Sequence, residues 1–151
     1  MNDALDRLMA VMEASFDPHY REAWTRAQVS DSLTLPSTFM MLADRTGRAP
    51  QADEEAAGFI LARQALDEIE LLLVAVHPDH RGKGLGRQLL RRFFAEARTR
   101  KATRVFLEMR SNNPAGRLYV AEGFEQIGRR PDYYRTVTGQ TIDALTFARE
   151  V

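Results

Sequence analysis

The 151-residue chain has no cysteine. That excludes disulfides, thiolate metal sites and a cysteine nucleophile. It has no excess of either charge, since 21 basic and 21 acidic residues cancel. No whole-molecule field therefore draws it to nucleic acid or to an anionic membrane. No apolar run approaches the roughly 20 residues of a membrane span. Met1-Asn2-Asp3 leads into no basic stretch and apolar core of the secretory kind. Histidine is scarce, and His19, His77 and His80 have no acidic partners at ligand spacing, so no metal is expected. These absences point to a cytoplasmic protein, monomer or homodimer, with neither nucleic acid nor membrane as a direct partner. Apolar residues make up 44% and charged residues 28%, which suits one globular domain over residues 1–151.

Hydrophobic period and turn residues predict the elements. Leu5, Leu8, Met9 and Met12 form one stripe of a helix over 3–15, which Asp17-Pro18 breaks. A second helix is expected over Arg21–Leu33. Phe39–Ala43, Gly58–Ala65 and Ile69–Val76 read as strands. The polar stretch from Thr46 to Glu55 reads as a mobile connection. Leu85–Arg100 is an amphipathic helix whose Arg87, Arg91 and Arg92 form a solvated face. Arg104–Met109 is a strand, and a short helix starts at Asn113-Pro114 and ends at Gly123. Strands begin at Phe124 and span Thr141–Ala148. The result is an α/β (α+β) fold, a mixed central sheet of about six strands with helices on both faces.

Three alternate glycines stand where a strand gives way to a helix, in Val76-His77-Pro78-Asp79-His80-Arg81-Gly82-Lys83-Gly84-Leu85-Gly86. Bare backbone N–H groups at the positive end of a helix dipole make a site for phosphate oxygens. A merely structural turn would gain nothing locally from three glycines, whose backbone entropy is costly. The P-loop pattern is absent. The dinucleotide pattern needs its third glycine one residue later and belongs at the start of a βαβ repeat.

Val-x-Pro-x-x-Arg-Gly-x-Gly-x-Gly, from Val76 to Gly86, resembles the acyl-CoA pyrophosphate loop of the GNAT superfamily of N-acyltransferases. Leu107-Glu108-Met109-Arg110-Ser111-Asn112, then Ala115, Leu118-Tyr119 and Gly123-Phe124, resembles the second half of that cofactor site. Arg129-Arg130, Tyr133-Tyr134 and Asp143-Ala144-Leu145 are similar to the C-terminal hairpin of the ribosomal-protein-alanine N-acetyltransferase (RimI) group. The resemblance covers roughly residues 58–148.

It implies a GNAT fold, acetyl-CoA as co-substrate and a role for each matching position. Arg81, Gly82, Lys83, Gly84, Leu85 and Gly86 would hold the pyrophosphate, with charge from the Arg81 and Lys83 side chains. The exposed backbone of Leu73, Val74, Ala75 and Val76 would pair with pantetheine. Asn112 would bond the same arm, or simply cap the next helix. Glu108 would take the proton of the attacking amine, through water; otherwise it pairs with Arg110 or Arg104. Tyr119 would protonate the departing thiolate; otherwise it is a core tyrosine. Glu70 would bind the substrate ammonium or serve as the alternative base, unless it is only a polar residue at an edge. Tyr133 and Tyr134 would form a lip for a peptide N-terminus, or pack across strands.

Two departures stand out. One residue is missing between Glu108 and Ser111, which bears on the aim of Glu108. Helical sequence also starts almost at once, so the family's first strand is expected to be missing or vestigial, at Met1-Asn2. The acceptor implied is a protein N-terminus, with a small-molecule amine as the alternative and a non-catalytic acyl-CoA-binding domain as the other class.

Overall fold

The structure is a computed structural model and describes residues 3–151. The site expected for a vestigial strand, Met1-Asn2, lies outside the described residues. Helix α1 spans Ala4–Ser15, and the Asp3 carboxylate caps it by accepting from the Asp6 N–H at 2.7 Å. The second helix starts later than its sequence suggests. Pro18–Tyr20 forms a 3₁₀ turn that Arg21 ends at φ +56°, and α2 covers only Arg26–Leu33. A reciprocal capping box sets that start. Gln28 N–H donates to Thr25 Oγ1 at 3.2 Å, and Thr25 N–H donates to Gln28 Oε1 at 2.8 Å. Residues 16–25 are thereby freed as a connector.

Strands β1 (Thr38–Ala43), β2 (Gly58–Ala65), β3 (Glu68–Val76), β4 (Arg104–Arg110), β5 (Glu125–Arg135) and β6 (Thr141–Glu150) form one sheet. Its order is β1-β2-β3-β4-β6-β5. Helices α3 (Leu85–Thr99) and α4 (Gly116–Ala121) cover one face, and α1 and α2 cover the other. Alternation on β2 divides the core between them. Ile60 and Ala62 join Leu89, Leu90 and Phe93 of α3, while Phe59 and Leu61 join Leu8, Val11 and Met12 of α1. Burial of each such side chain contributes roughly 1.5–3 kcal/mol.

The centre of the sheet is only partly closed. β3 pairs with β2 along its whole length but with β4 at three positions, Glu68↔Arg104, Ile69↔Val105 and Glu70↔Phe106. On β3, Leu71 faces Ala62 and Leu73 faces Leu61, so Leu72 is an extra residue and bulges the strand. Beyond it β3 stays with β2, β4 stays with β6, and the two central strands splay apart.

The polar connection between β1 and β2, expected to be mobile, is tethered. Arg92 Nη1 donates to the carbonyls of Leu42 and Gly47, both at 2.9 Å. Arg7 Nη1 donates to those of Gln51 and Glu54 at 3.0 and 3.3 Å. Arg92 is thus a fastening and not part of a solvated face.

The β2–β3 hairpin turns through Leu66-Asp67, and Leu66 sits at φ +57° with 95% of its surface exposed. A left-handed leucine costs about 1 kcal/mol, and burial returns nothing here. Glycine is favoured at the first position of such a turn. Leu66→Gly should therefore raise the thermal midpoint by about 2–4 °C. An unchanged or lower midpoint in a calorimetric scan would show that the turn is not strained.

Candidate active site

The splay of β3 from β4 opens a cleft of about 910 Å³. One wall is the edge of β3 at Val74, Ala75 and Val76; the other is the β4–α4 loop with Leu118 and Tyr119. The glycine turn closes one end, and the connector supplies Phe16, Asp17, Tyr20 and Glu22. Residues 71–76 of β3 have no partner strand on the β4 side. Leu73 belongs to that edge, but its side chain packs against the α1 core.

Gly82 and Gly84 lie at φ +77° and +79°, and a Cβ on either would meet no protein atom within 4 Å. The left-handed backbone favours glycine, and the space above it is open. Gly86 answers a different constraint, since its Cβ would come within 3.0 Å of Leu118 Cδ2. The first bond of α3 is Gln88 N–H to Gly84 O at 3.1 Å. The N–H groups from Gly82 to Arg87, Leu85 included, have no acceptor among the described residues. This is the cradle of unpaired donors that the glycine spacing implies.

The Arg81 side chain is differently engaged. Its Nε donates to Val76 O at 3.0 Å and its Nη2 to Ser15 O at 2.9 Å. It clasps the end of α1 to the end of β3 instead of offering its charge to the cradle. Lys83 is exposed beside the turn. Arg87 and Arg91 pair with Glu122 at 3.0 and 3.5 Å.

Glu108 is half-buried on β4, with Arg130 Nε 3.9 Å from its Oε2. Neither arginine weighed as its partner takes it, because Arg104 pairs with Glu68 and Arg110 with Glu22. Tyr119 lines the cleft and stacks edge-on against Phe124 at 5.6 Å. Burial pushes its hydroxyl well above the usual phenol range, and the Glu22 charge adds to this. Tyr134 is pushed up to about 12, first by burial and then by the charges of Glu108 and Glu22. Tyr133, half-exposed, meets Tyr134 edge-on at 5.1 Å.

A bulge in β5 brings these two rings forward: Arg130 faces Ala144, but the next partner pair is Tyr134↔Ile142. Asp143 pins it, accepting from the Asp132 N–H at 2.9 Å and from Arg129. Those donors hold the Asp143 carboxyl below its usual range.

Glu70 stands apart from this group. It pairs with Arg63 at 2.9 Å and sits where β3 and β4 are still in register; like Glu108, Tyr133 and Tyr134, it is not among the residues lining the cleft. Asn112 is not a helix cap: α4 begins after Ala115 without a side-chain cap, and the Ala115 N–H donates to Asn113 Oδ1 at 2.9 Å. Residues that motif reading missed are Tyr20 and Glu22, together with the engagement of Arg110. The one local sign of them was the Pro18-to-Thr25 interval between two helix stops. Among the described residues, no group of three or more acidic or histidine side chains is placed to hold a metal. No helix of the described chain is long and apolar enough to cross a membrane.

A family model described as the acetyltransferase (GNAT) family matches residues 6–124. The ribosomal protein bS18-alanine N-acetyltransferase of Salmonella typhimurium is 39% identical over 98 residues, which are 64% of this chain and 66% of that protein. The N-alpha-acetyltransferase RimI of Mycobacterium tuberculosis is 40% identical over 91 residues, 60% of this chain and 54% of its own length. Both alignments span less than two thirds of the relative's length. The crystal structure of the Escherichia coli ribosomal-protein-S18-alanine N-acetyltransferase superposes with a TM-score of 0.80 at 26% identity. It covers 99% of this chain and 90% of that one.

The tyrosines of the site make a prediction about pH. The fold favours neutral Tyr134, so its contribution to stability is complete below the unfolded phenol value near 10 and is lost as pH rises through about 12. Phenolate absorbance should show Tyr134 titrating near 12 and Tyr119 later still. Tyr134→Phe should remove the step near 12, and a Tyr134 that ionises near 10 would contradict its placement.

Proposed function

The chain belongs to the acetyltransferase (GNAT) family, and on that premise we propose that it acts as a single-domain N-acetyltransferase. It moves an acetyl group from acetyl-CoA to the α-amino group of a protein N-terminus, such as that of ribosomal protein bS18. The observation that carries this reading is the cleft itself, with a cradle of unpaired N–H groups at one end and an unpaired strand edge along one wall.

Each part has a task. The N–H groups of Gly82 to Gly86 hold the pyrophosphate; the open space over Gly82 and Gly84 fits a phosphate group, and a side chain there would fill it. The free edge of Leu73–Val76 pairs with pantetheine amides as an added strand would, and its N–H groups polarise the thioester carbonyl. Acetyl-CoA supplies an activated acetyl group as its thioester. A terminal α-amine, with an ordinary pKa near 8, is mostly protonated at neutral pH. Glu108 takes its proton, through water, and the amine nitrogen then bonds to the acetyl carbon. As the carbon–sulfur bond breaks, Tyr119 gives a proton to sulfur, and the surplus proton shed by the new amide nitrogen restores the phenol. A phenol is protonated at neutral pH and so has a proton to give; burial, which makes Tyr119 a weaker acid, leaves it in that form. Tyr133 and Tyr134, set forward by the β5 bulge, form the lip against which the incoming peptide lies. The pairing of Glu70 with Arg63 supports a structural part for Glu70 in place of substrate binding.

Gly84→Glu places a carboxylate in the phosphate space and strains the backbone. It should weaken CoA binding by about a hundredfold or more. Unchanged affinity would mean that the turn is not the phosphate site. Glu108→Gln and Tyr119→Phe should each lower kcat by about 10²–10⁴ while the KM for acetyl-CoA holds. Full activity in Glu108→Gln would move the base elsewhere. Mass spectrometry should find acetyl on the first nitrogen of N-terminal peptides. Faster turnover of small polyamines would contradict the acceptor.

A further inference from the structure

Arg110 ends β4 at the mouth of the cleft, with its side chain 12% exposed. It is engaged on three sides. Its Nε donates to Glu22 Oε1 at 3.1 Å, and its guanidinium lies 3.6 Å over the Tyr20 ring. Its Nη1 donates to Asn112 O at 3.1 Å and to Asn112 Oδ1 at 2.9 Å. Glu22 and Tyr20 belong to the connector, and Asn112 belongs to the loop leaving the catalytic strand. One side chain therefore joins the segment that roofs the cleft to the residue expected to touch the cofactor.

A guanidinium donates and never accepts. Asn112 must turn its amide oxygen to Arg110, which leaves its NH₂ for the cleft. Helix α4 has no side-chain cap, and the Ala115 N–H just before it donates to Asn113 Oδ1, so Asn112 has no capping task. The connector is also held by Val137 N–H to His19 O at 3.0 Å, and the end of α1 just before it by Arg81 to Ser15 O at 2.9 Å. Neither of these contacts Asn112. Among the described residues, Arg110 alone hydrogen-bonds to both Glu22 and Asn112.

We propose that Arg110 is a positioning residue: it orients Asn112 as a hydrogen-bond donor to acetyl-CoA and couples cofactor binding to the seating of the connector through Glu22. This rests on the acetyl-CoA reading of the cleft.

Calorimetric titration of the full chain with CoA tests it in the wild type, Arg110→Lys, Glu22→Gln and the double variant. Lysine keeps the charge but loses the planar fork. Arg110→Lys should weaken CoA binding about fivefold, as expected for one misaligned hydrogen bond. Glu22→Gln should weaken it about twofold to threefold, and the double variant should bind no worse than Arg110→Lys.

The second readout is the Asn112 side-chain NH₂ resonance, assigned by its loss in Asn112→Ser. It should shift when CoA is added to the wild type, and broaden or split in free Arg110→Lys. A merely structural arginine would move neither the coupling nor this signal. If Arg110→Lys fails to fold, Glu22→Gln and the wild-type resonance decide alone. Unchanged CoA affinity in Glu22→Gln, additive effects, or an Asn112 NH₂ indifferent to CoA would each overturn the proposal. A wild-type chain that does not bind CoA would instead overturn the cofactor reading, and the proposal with it.

Discussion

Only three residues of β3 lie in register with β4, and the rest of the site depends on that short seam. A sheet that stayed paired would bury its central strands on both edges and leave no room for a ligand. After the extra residue Leu72, β3 stays paired with β2 while β4 stays with β6. Backbone donors and acceptors that a sheet would normally pair are then left facing a cleft. Their pairing requirement is met only by water or by a ligand with amides of its own. The buried residues of β4 pack with α3, and the splayed end of β3 packs against α1 through Leu72, Leu73 and Ala75.

In the proposed reading, holding the cofactor rests on backbone more than on charged side chains. The turn at Gly82–Gly86 offers N–H groups, and the nearby arginines are occupied. Arg81 fastens β3 to α1, Arg92 fastens the β1–β2 connection, and Arg87 and Arg91 hold Glu122. Such an economy fits a chain without net charge, since no excess of positive side chains is available to draw in an anion. It also makes the loop geometry, set by two left-handed glycines, the feature least tolerant of change.

What could be read from residues alone was what local rules determine. The glycine turn, the amphipathic α3 and the alternation of β2 each carry their own signal within a few residues. Tyr119 fell on the short helix that Asn113-Pro114 and Gly123 bound, and its expected role came from the family resemblance. The start of α2 was misread because apolar spacing continued back to Trp24, while the Thr25–Gln28 box set the boundary. The engagements of Arg81, Glu22 and Arg110 bring together residues 66 and 88 positions apart in the chain, and no local pattern encodes them. Glu70 looked available for the same reason, since its partner Arg63 becomes its neighbour only through the β2–β3 register.

The most direct measurement is a map of backbone amide resonances during titration with acetyl-CoA. The amides of Gly82, Gly84 and Gly86 and those of Val74 to Val76 should shift together and saturate at one concentration. Amides lining the separate groove beside Phe39 and Arg100 should stay still. Shifts confined to that groove, or none on the unpaired edge of β3, would contradict a cofactor seated in the splay.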